Sequence, residues 1–203
     1  MMKRIAFVVL LILAGLGVVV SPALAKGPTE GRAGRAEVRF MEGMIDHHQM
    51  ALDMSNDCLK KASGADVKTM CQGIIKAQTA EIITMQGWLK DWYKIDYSPI
   101  SMDDMMKAAG KMDGMNMGGD LASDPAGMMG MMAGLNRLKG TDYDVAFLES
   151  MVDHHSDAIN MSNRILKYTT IHDELKTLAN TIIKDQTAEI QKMEDMLKAL
   201  GSK

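Results

Sequence analysis

The sequence has no excess of positive charge. Its 203 residues include 23 Lys and Arg against 26 Asp and Glu. Removal of Lys3 and Arg4 with the leader described below leaves 21 against 26, a net charge of −5. Because nucleic-acid binding depends on clustered cations that displace phosphate counterions, this balance argues against a nucleic-acid partner.

The sequence also lacks the motifs of several enzyme classes. It contains no G-x-S-x-G, no P-loop and no H-E-x-x-H. Di-iron bundles carry Glu-x-x-His on two helices, but Ile45 stands three residues after Glu42, and Val152 three residues after Glu149. We therefore expect no catalytic residues and no catalytic turnover, and we disfavour an iron store.

No apolar run long enough to span a bilayer follows residue 25. The apolar run at 5–20 follows two basic residues and precedes a small-residue cleavage site, Ala23-Leu24-Ala25. This order is typical of a secretory signal peptide, and an uncleaved anchor is the alternative. We predict a signal peptide over 1–25, a flexible N-terminus over 26–35, and a periplasmic or otherwise exported protein without stable membrane insertion after cleavage.

The sequence does contain an internal repeat. "FMEGMIDHHQMALDMSN" at 40–56 is identical to "FLESMVDHHSDAINMSN" at 147–163 in ten of 17 positions. "IIKAQTAEIITMQGWL" at 74–89 is identical to "IIKDQTAEIQKMEDML" at 182–197 in ten of 16. Each copy therefore consists of a His-His segment, a short break and a Gln-Thr-Ala-Glu segment.

Both segments of each copy have the apolar spacing of an amphipathic helix. The stripe of the His-His segment is Phe40, Met44, Ala51, Ser55 and Cys58 in the first copy, and Phe147, Met151, Ala158, Ser162 and Ile165 in the second. Gln78 and Gln186 lie near the middle of the partner stripes, with Glu81 and Glu189 at their borders. The breaks are short, at "KKASGADVK", where Gly64 suits a C-cap, and near "YTTIHDE".

These helices predict an all-α fold. Two antiparallel hairpins can bury their apolar faces against each other as a four-helix bundle. We place the first hairpin at 36–97, a methionine-rich linker at 98–140 and the second hairpin at 141–200, within one domain over 36–200. An exchange of hairpins between two chains, as a domain-swapped dimer, is the alternative.

Cysteine is scarce, with only Cys58 and Cys71. An even number of cysteines in an exported protein favours a disulfide over free thiols. The bridge would staple the closed end of the first hairpin. A metal role is the weaker alternative, because the second copy has Ile165 and Ala179 at the matching positions.

Methionine is abundant, with 22 residues against only nine aromatics. Ten methionines lie in the linker, at Met102, Met105, Met106, Met112, Met115, Met117, Met128, Met129, Met131 and Met132. Thioethers are soft, neutral ligands that suit monovalent copper and discriminate against hard ions. An apolar strap over the bundle is the simpler interpretation, but such a strap has no reason to prefer one residue so strongly.

The His-His pairs are the second candidate ligands. Neighbouring helical residues point about 100° apart, so one ion is not expected to bind both members of a pair. Met44 precedes His47 and His48 by three and four residues, and Met151 precedes His154 and His155 in the same way. We expect one His of each pair in a polar network, with Asp46, Asp153, Gln78, Gln186, Glu81 or Glu189 as partners, and the other available to metal.

The paired motifs M-[IV]-D-H-H and Q-T-A-E-I resemble those of bacterial exported proteins of domain-of-unknown-function family 305. The resemblance covers residues 38–200 and implies a ferritin-like four-helix bundle. The duplicated form with a methionine-rich middle resembles periplasmic copper-resistance proteins, which implies binding of Cu(I) and also Ag(I). The implied ligand positions are Met44, His47, His48, Met50, Met54, Met151, His154, His155 and Met161. Asp157 replaces the counterpart of Met50, so equal affinity of the two halves is not expected.

The sequence therefore favours a protein that sequesters or ferries Cu(I) and contributes to copper resistance and homeostasis. Its expected partners are the metal ion and a copper exporter or chaperone. The main alternative is a structural or docking module that uses methionine as an adaptable surface. A copper-dependent oxidase is a third interpretation.

Overall fold

Four long helices form the molecule. The computed structural model describes residues 27–100 and 134–202. Its helices are α1 Gly31–Lys61, α2 Ala65–Tyr93, α3 Gly140–Ile165 and α4 Asp173–Ala199, and the described residues contain no strand. The predicted all-α four-helix bundle is confirmed. One boundary differs: α1 begins at Gly31, so residues 31–35 are helical instead of forming part of a flexible N-terminus.

The helices pair as two hairpins within one chain. α1 packs against α2 and α3 packs against α4, while contacts between α1 and α3 join the hairpins. The turns are short, at 62–64 and 166–172, as the sequence predicts. Gly64, however, is the N-cap of α2 with φ −73° and not a C-cap, because α1 already ends at Lys61 and Ala62 caps it in an extended conformation.

The core consists of two apolar clusters that meet at the middle of the bundle. All ten stripe positions predicted on α1 and α3 are buried. Along α1, one cluster takes residues up to Ile45 and the other takes residues from Met50 onward. Along α3, the boundary falls between Met151 and Ala158. The His-His pairs therefore lie where the two clusters meet.

Two buried carboxylates hold the hairpin turns. Asp144 of α3 accepts hydrogen bonds from the N–H of Ser63 at 2.9 Å and of Gly64 at 2.8 Å. Glu37 of α1 accepts a hydrogen bond from the N–H of His172 at 2.5 Å. Each acceptor thus binds the start of a helix in the opposite hairpin, where backbone N–H groups lack helical partners. We name these contacts the carboxylate clasps.

The disulfide prediction is confirmed. Cys58 and Cys71 are bridged, with their Cα atoms 6.5 Å apart. Both sulfurs are buried in the apolar cluster near the α1–α2 turn. The bridge fixes the closed end of the first hairpin, and it leaves neither thiol available as a metal ligand.

Two predicted features lie outside the described residues. One is the signal peptide at 1–25. The other is the set of ten linker methionines, which fall within 101–133. Among the helices that the structure describes, none combines the length and the apolarity needed to cross a membrane.

Candidate metal centre

The four predicted histidines meet at the middle of the bundle, where α1 and α3 cross. His47, His48, His154 and His155 are all buried, with at most 2% of each residue exposed. The His47 and His154 ring centroids lie 3.7 Å apart. Within each pair the rings are farther apart, 6.2 Å in α1 and 6.1 Å in α3. The two members of a pair therefore point in different directions, as their helical positions require.

The second histidine of each pair belongs to a polar network. His48 Nε2 lies 2.6 Å from Glu81 Oε2, and His155 Nε2 lies 2.7 Å from Glu189 Oε2. Both glutamates are among the hydrogen-bond partners that the sequence predicts for the histidines. Asp46 serves another purpose, because it accepts hydrogen bonds from Tyr97 Oη at 2.6 Å and from the N–H of Ile100 at 3.0 Å.

The first histidine of each pair lies against the first histidine of the other pair. His154 Nε2 lies 2.9 Å from the carbonyl oxygen of His47. Burial, and then the neighbouring histidines, hold the pKa of both His47 and His154 well below 6.5. Both rings are therefore neutral at pH 7, and the neutral imidazole is the form that binds metal ions.

Several buried polar atoms of this layer have no hydrogen-bond partner among the described residues. They include at least one ring nitrogen of each histidine, among them the Nδ1 atoms of His48, His154 and His155, whereas the His47 ring meets the backbone of His154. They also include Gln78 Nε2 and Oε1 and Gln186 Oε1. Buried polar groups are normally paired. Their concentration in one layer marks it as a candidate ligand site.

The candidate methionines of the helices surround this layer. Met44, Met54 and Met151 are completely buried, and Met50 and Met161 nearly so. Met44 shares a cluster with Met161, whereas Met151 shares the other cluster with Met50 and Met54. In the structure, each cluster therefore contains methionines from both copies of the repeat. The sequence predicted that the methionines of one copy would lie together.

Among the other buried methionines of these two clusters, two occupy matching positions of the two copies. Met85 of α2 lies in the cluster of Met44, and Met193 of α4 lies in the cluster of Met151. Both occupy equivalent positions in the Gln-Thr-Ala-Glu segments. The occurrence of methionine at this position in both copies is the sequence signal that could have identified them as candidate ligands. The carboxylate clasps were missed as well, although Glu37 and Asp144 are separated by the same 107 residues as His47 and His154.

Nitrogen and carboxylate ligands alone do not form a ready site here. Within the described ranges, no group of three or more His, Cys, Asp or Glu side chains could hold a metal ion. An ion in this layer would therefore need sulfur ligands. Methionine is the available sulfur donor, because Cys58 and Cys71 are bridged.

Asp46, which immediately precedes His47 in α1, also holds the chain that follows α2. Ile100 is the last described residue before 101–133, and its N–H donates to Asp46 Oδ1.

Comparison with protein families shows which family this four-helix bundle belongs to. The family model described as Domain of unknown function (DUF305) matches residues 37–197. The chain belongs to the DUF305 family. A sequence comparison with curated proteins gives no significant match.

Solved DUF305 structures have the same fold. CopM in its Cu(II)-bound form is 29% identical with a TM-score of 0.61, and in its Cu(I)-bound form 27% identical with a TM-score of 0.60. A silver-bound form of CopM is 25% identical with a TM-score of 0.59. Each comparison covers 80% of this chain and 96% of CopM.

A second relative is a DUF305 protein from Streptomyces coelicolor that is provisionally described as secreted. It is 27% identical, with a TM-score of 0.63, and the match covers 83% of this chain and 95% of that protein. CopM and this relative both support the predicted family and bundle.

Proposed function

We propose that this protein is an exported copper-binding protein that sequesters or ferries Cu(I), and also Ag(I), through methionine and histidine ligands. It holds and transfers the ion without catalytic turnover and contributes to copper resistance in the periplasm. A copper exporter or copper chaperone is its expected protein partner. The cargo ion would be held in the histidine layer and by the methionines of the linker.

The observation that carries this proposal is the chemistry of the buried layer. At least one imidazole nitrogen of each of the four histidines lacks a hydrogen-bond partner among the described residues, and burial keeps His47 and His154 neutral. Buried methionines lie on both sides of the layer. Neutral imidazole and thioether are ligands that Cu(I) accepts.

The character of the ligands supports the proposed preference for a monovalent ion. Thioethers carry no charge, so they compensate little of the charge of a buried divalent cation. Thioethers also form no disulfides, so they stay available where Cys58 and Cys71 have been oxidised. CopM, a relative with the same bundle, has been solved with Cu(I), with Cu(II) and with silver.

The test is a titration of the purified mature protein with Cu(I) against a chromogenic Cu(I) chelator. We expect His47→Gln/His154→Gln to abolish the tightest binding event. Ser55→Ala/Ser162→Ala is the matched control, because it removes buried, unpartnered hydroxyls from the same two helices, eight residues after His47 and His154, without removing a nitrogen or sulfur ligand. Circular dichroism of each variant shows whether the bundle still folds.

A second variant isolates the linker. Replacement of its ten methionines by leucine preserves apolar volume but removes the thioethers. We expect the number of bound Cu(I) ions to fall. An unchanged number would show that the segment is only an apolar strap, and an absence of tight Cu(I) binding in the wild-type protein would refute the proposed function as a whole.

A further inference from the structure

The arginines of this chain are concentrated in one place. After removal of the leader, the chain has 16 lysines and five arginines. Four of the five arginines, Arg32, Arg35, Arg39 and Arg164, line a groove of about 580 Å³ between the start of α1 and the end of α3. Lys167 lines the adjoining depression, together with Arg32 and Arg164. We name this feature the arginine groove.

Helix stability does not explain this arrangement. Arg32, Arg35 and Arg39 follow one another at spacings of three and four residues, so their like charges are neighbours on α1 and destabilise it. They also lie near the N-terminal end of α1, where the helix dipole favours anions. The first turn of α1 contains no acidic residue, and its N-cap provides no side-chain hydrogen bond. The local charge pattern is therefore unfavourable unless an anion occupies the groove.

Among the described residues, three of the four groove arginines, Arg32, Arg35 and Arg39, have no ion pair with a carboxylate. Glu30 lines the adjoining depression, and Asp157 interacts electrostatically with Arg164. The excess of positive charge is local, since the mature chain is acidic overall.

The shape and composition of the groove define the ligand. Its volume lies within the range of small-molecule sites. Phe40, Ile165 and Tyr168 contribute apolar surface between the guanidinium groups. Arginine, unlike lysine, offers a planar fork that binds carboxylate and phosphate oxygens in pairs. Arg32 and Arg39 are seven positions apart, which corresponds to about 10 Å along the helix.

We propose that the arginine groove binds a small ligand with two or more phosphate or carboxylate groups. Such a ligand would place its anionic groups against successive arginines. Met161, a candidate copper ligand, also lines the groove, but the arginines would hold the anion, so this proposal does not depend on copper binding.

The test is isothermal titration calorimetry of the mature protein with tripolyphosphate and, separately, with citrate, at about 150 mM salt, where surface charges are screened beyond about 8 Å. We expect saturable binding of at least one probe. Arg35→Gln/Arg39→Gln should weaken it by a factor on the order of 100, because hydrogen bonds between charged groups are lost. Lys76→Gln/Lys90→Gln, which removes the same charge from exposed positions of α2, should leave it unchanged.

Three results would overturn the proposal. One is the absence of saturable binding for both soluble probes. Another is equal weakening by the arginine and the lysine variants, which would indicate only a general charge effect. The third is binding to vesicles of phosphatidylglycerol and phosphatidylcholine, but not to the soluble probes, because the groove would then serve a membrane surface and not a small ligand.

Discussion

The His47 ring lies 3.7 Å from the His154 ring, centroid to centroid, and the two histidines come from equivalent positions of the two repeats. The two repeats therefore contact each other through their paired histidines. Met44 and Met161 lie on one side of this contact, and Met151, Met50 and Met54 lie on the other. A metal ion on either side would take ligands from both hairpins.

This grouping predicts two unequal halves. One side has three of the methionines predicted as ligands, Met50, Met54 and Met151, and the other has two, because Asp157 replaces the counterpart of Met50. We expect Met151→Leu to weaken the tighter Cu(I) site and Met44→Leu to weaken the looser one, measured by chelator competition. Leucine nearly preserves core volume, so each substitution should cost less than about 1.5 kcal/mol of stability.

Met70→Leu is the control for that experiment. Met70 is buried in the same cluster as Met151 but lies in α2, near the disulfide. Its replacement should leave both Cu(I) affinities unchanged. If Met44→Leu and Met151→Leu change the same single affinity equally, the two halves do not form separate sites.

The carboxylate clasps should contribute measurably to stability. Glu37→Gln or Asp144→Asn replaces an acceptor by a group with half its acceptor capacity, so buried donors lose partners. We expect each change to lower the free energy of unfolding by about 1–3 kcal/mol, which corresponds to a Tm decrease of roughly 2–4 °C per kcal/mol in a domain of this size. Asp185→Asn, at an exposed position of α4, should shift Tm by less than either variant. Equal shifts would argue against the clasps.

The metal-free protein should lose stability as the pH falls below about 6.5. The pKa of His47 and that of His154 are both lowered in the folded state by burial. Below the unfolded pKa, the unfolded chain therefore binds more protons than the folded one, and acid favours unfolding. Each histidine adds a slope of up to about 1.4 kcal/mol per pH unit. Urea unfolding between pH 7.5 and pH 5 should show this loss, and His47→Gln/His154→Gln should reduce the slope.

The disulfide should affect stability but not metal binding. Cys58→Ile/Cys71→Ala introduces the residues that the second copy has at these positions, Ile165 and Ala179. Because a bridge over 13 residues restrains the unfolded chain, its loss should cost about 3 kcal/mol in a chemical-denaturation measurement. The number of Cu(I) ions bound should stay the same. A lower number would assign the cysteines a metal role that their pairing does not suggest.

The sequence predicted the fold better than it predicted which residues of different helices lie next to each other. Apolar spacing decides which residues face inward, so the stripes from Phe40 to Cys58 and from Phe147 to Ile165 were correct. Spacing along one helix does not show which residue of another helix lies opposite. The grouping of Met44 with Met161 depends on the antiparallel approach of α1 and α3, and only the three-dimensional structure supplied it.

The clasps show the same limit. Glu37 and Asp144 lie just before the segments whose repetition is strongest, and a buried acid on an apolar face does not reveal its partner. Their role became visible only with the turns at Gly64 and His172 placed against them. The histidine network was partly predictable, because Glu81 and Glu189 recur at equivalent positions of the two copies.

The most direct measurement is X-ray absorption spectroscopy at the copper edge of the protein loaded with Cu(I). The account predicts a Cu(I) edge and a first coordination shell that contains both sulfur and imidazole nitrogen, with the nitrogen contribution lost in His47→Gln/His154→Gln. A shell of oxygen and nitrogen without sulfur would contradict the account. Copper that is removed completely by dialysis would contradict it as well.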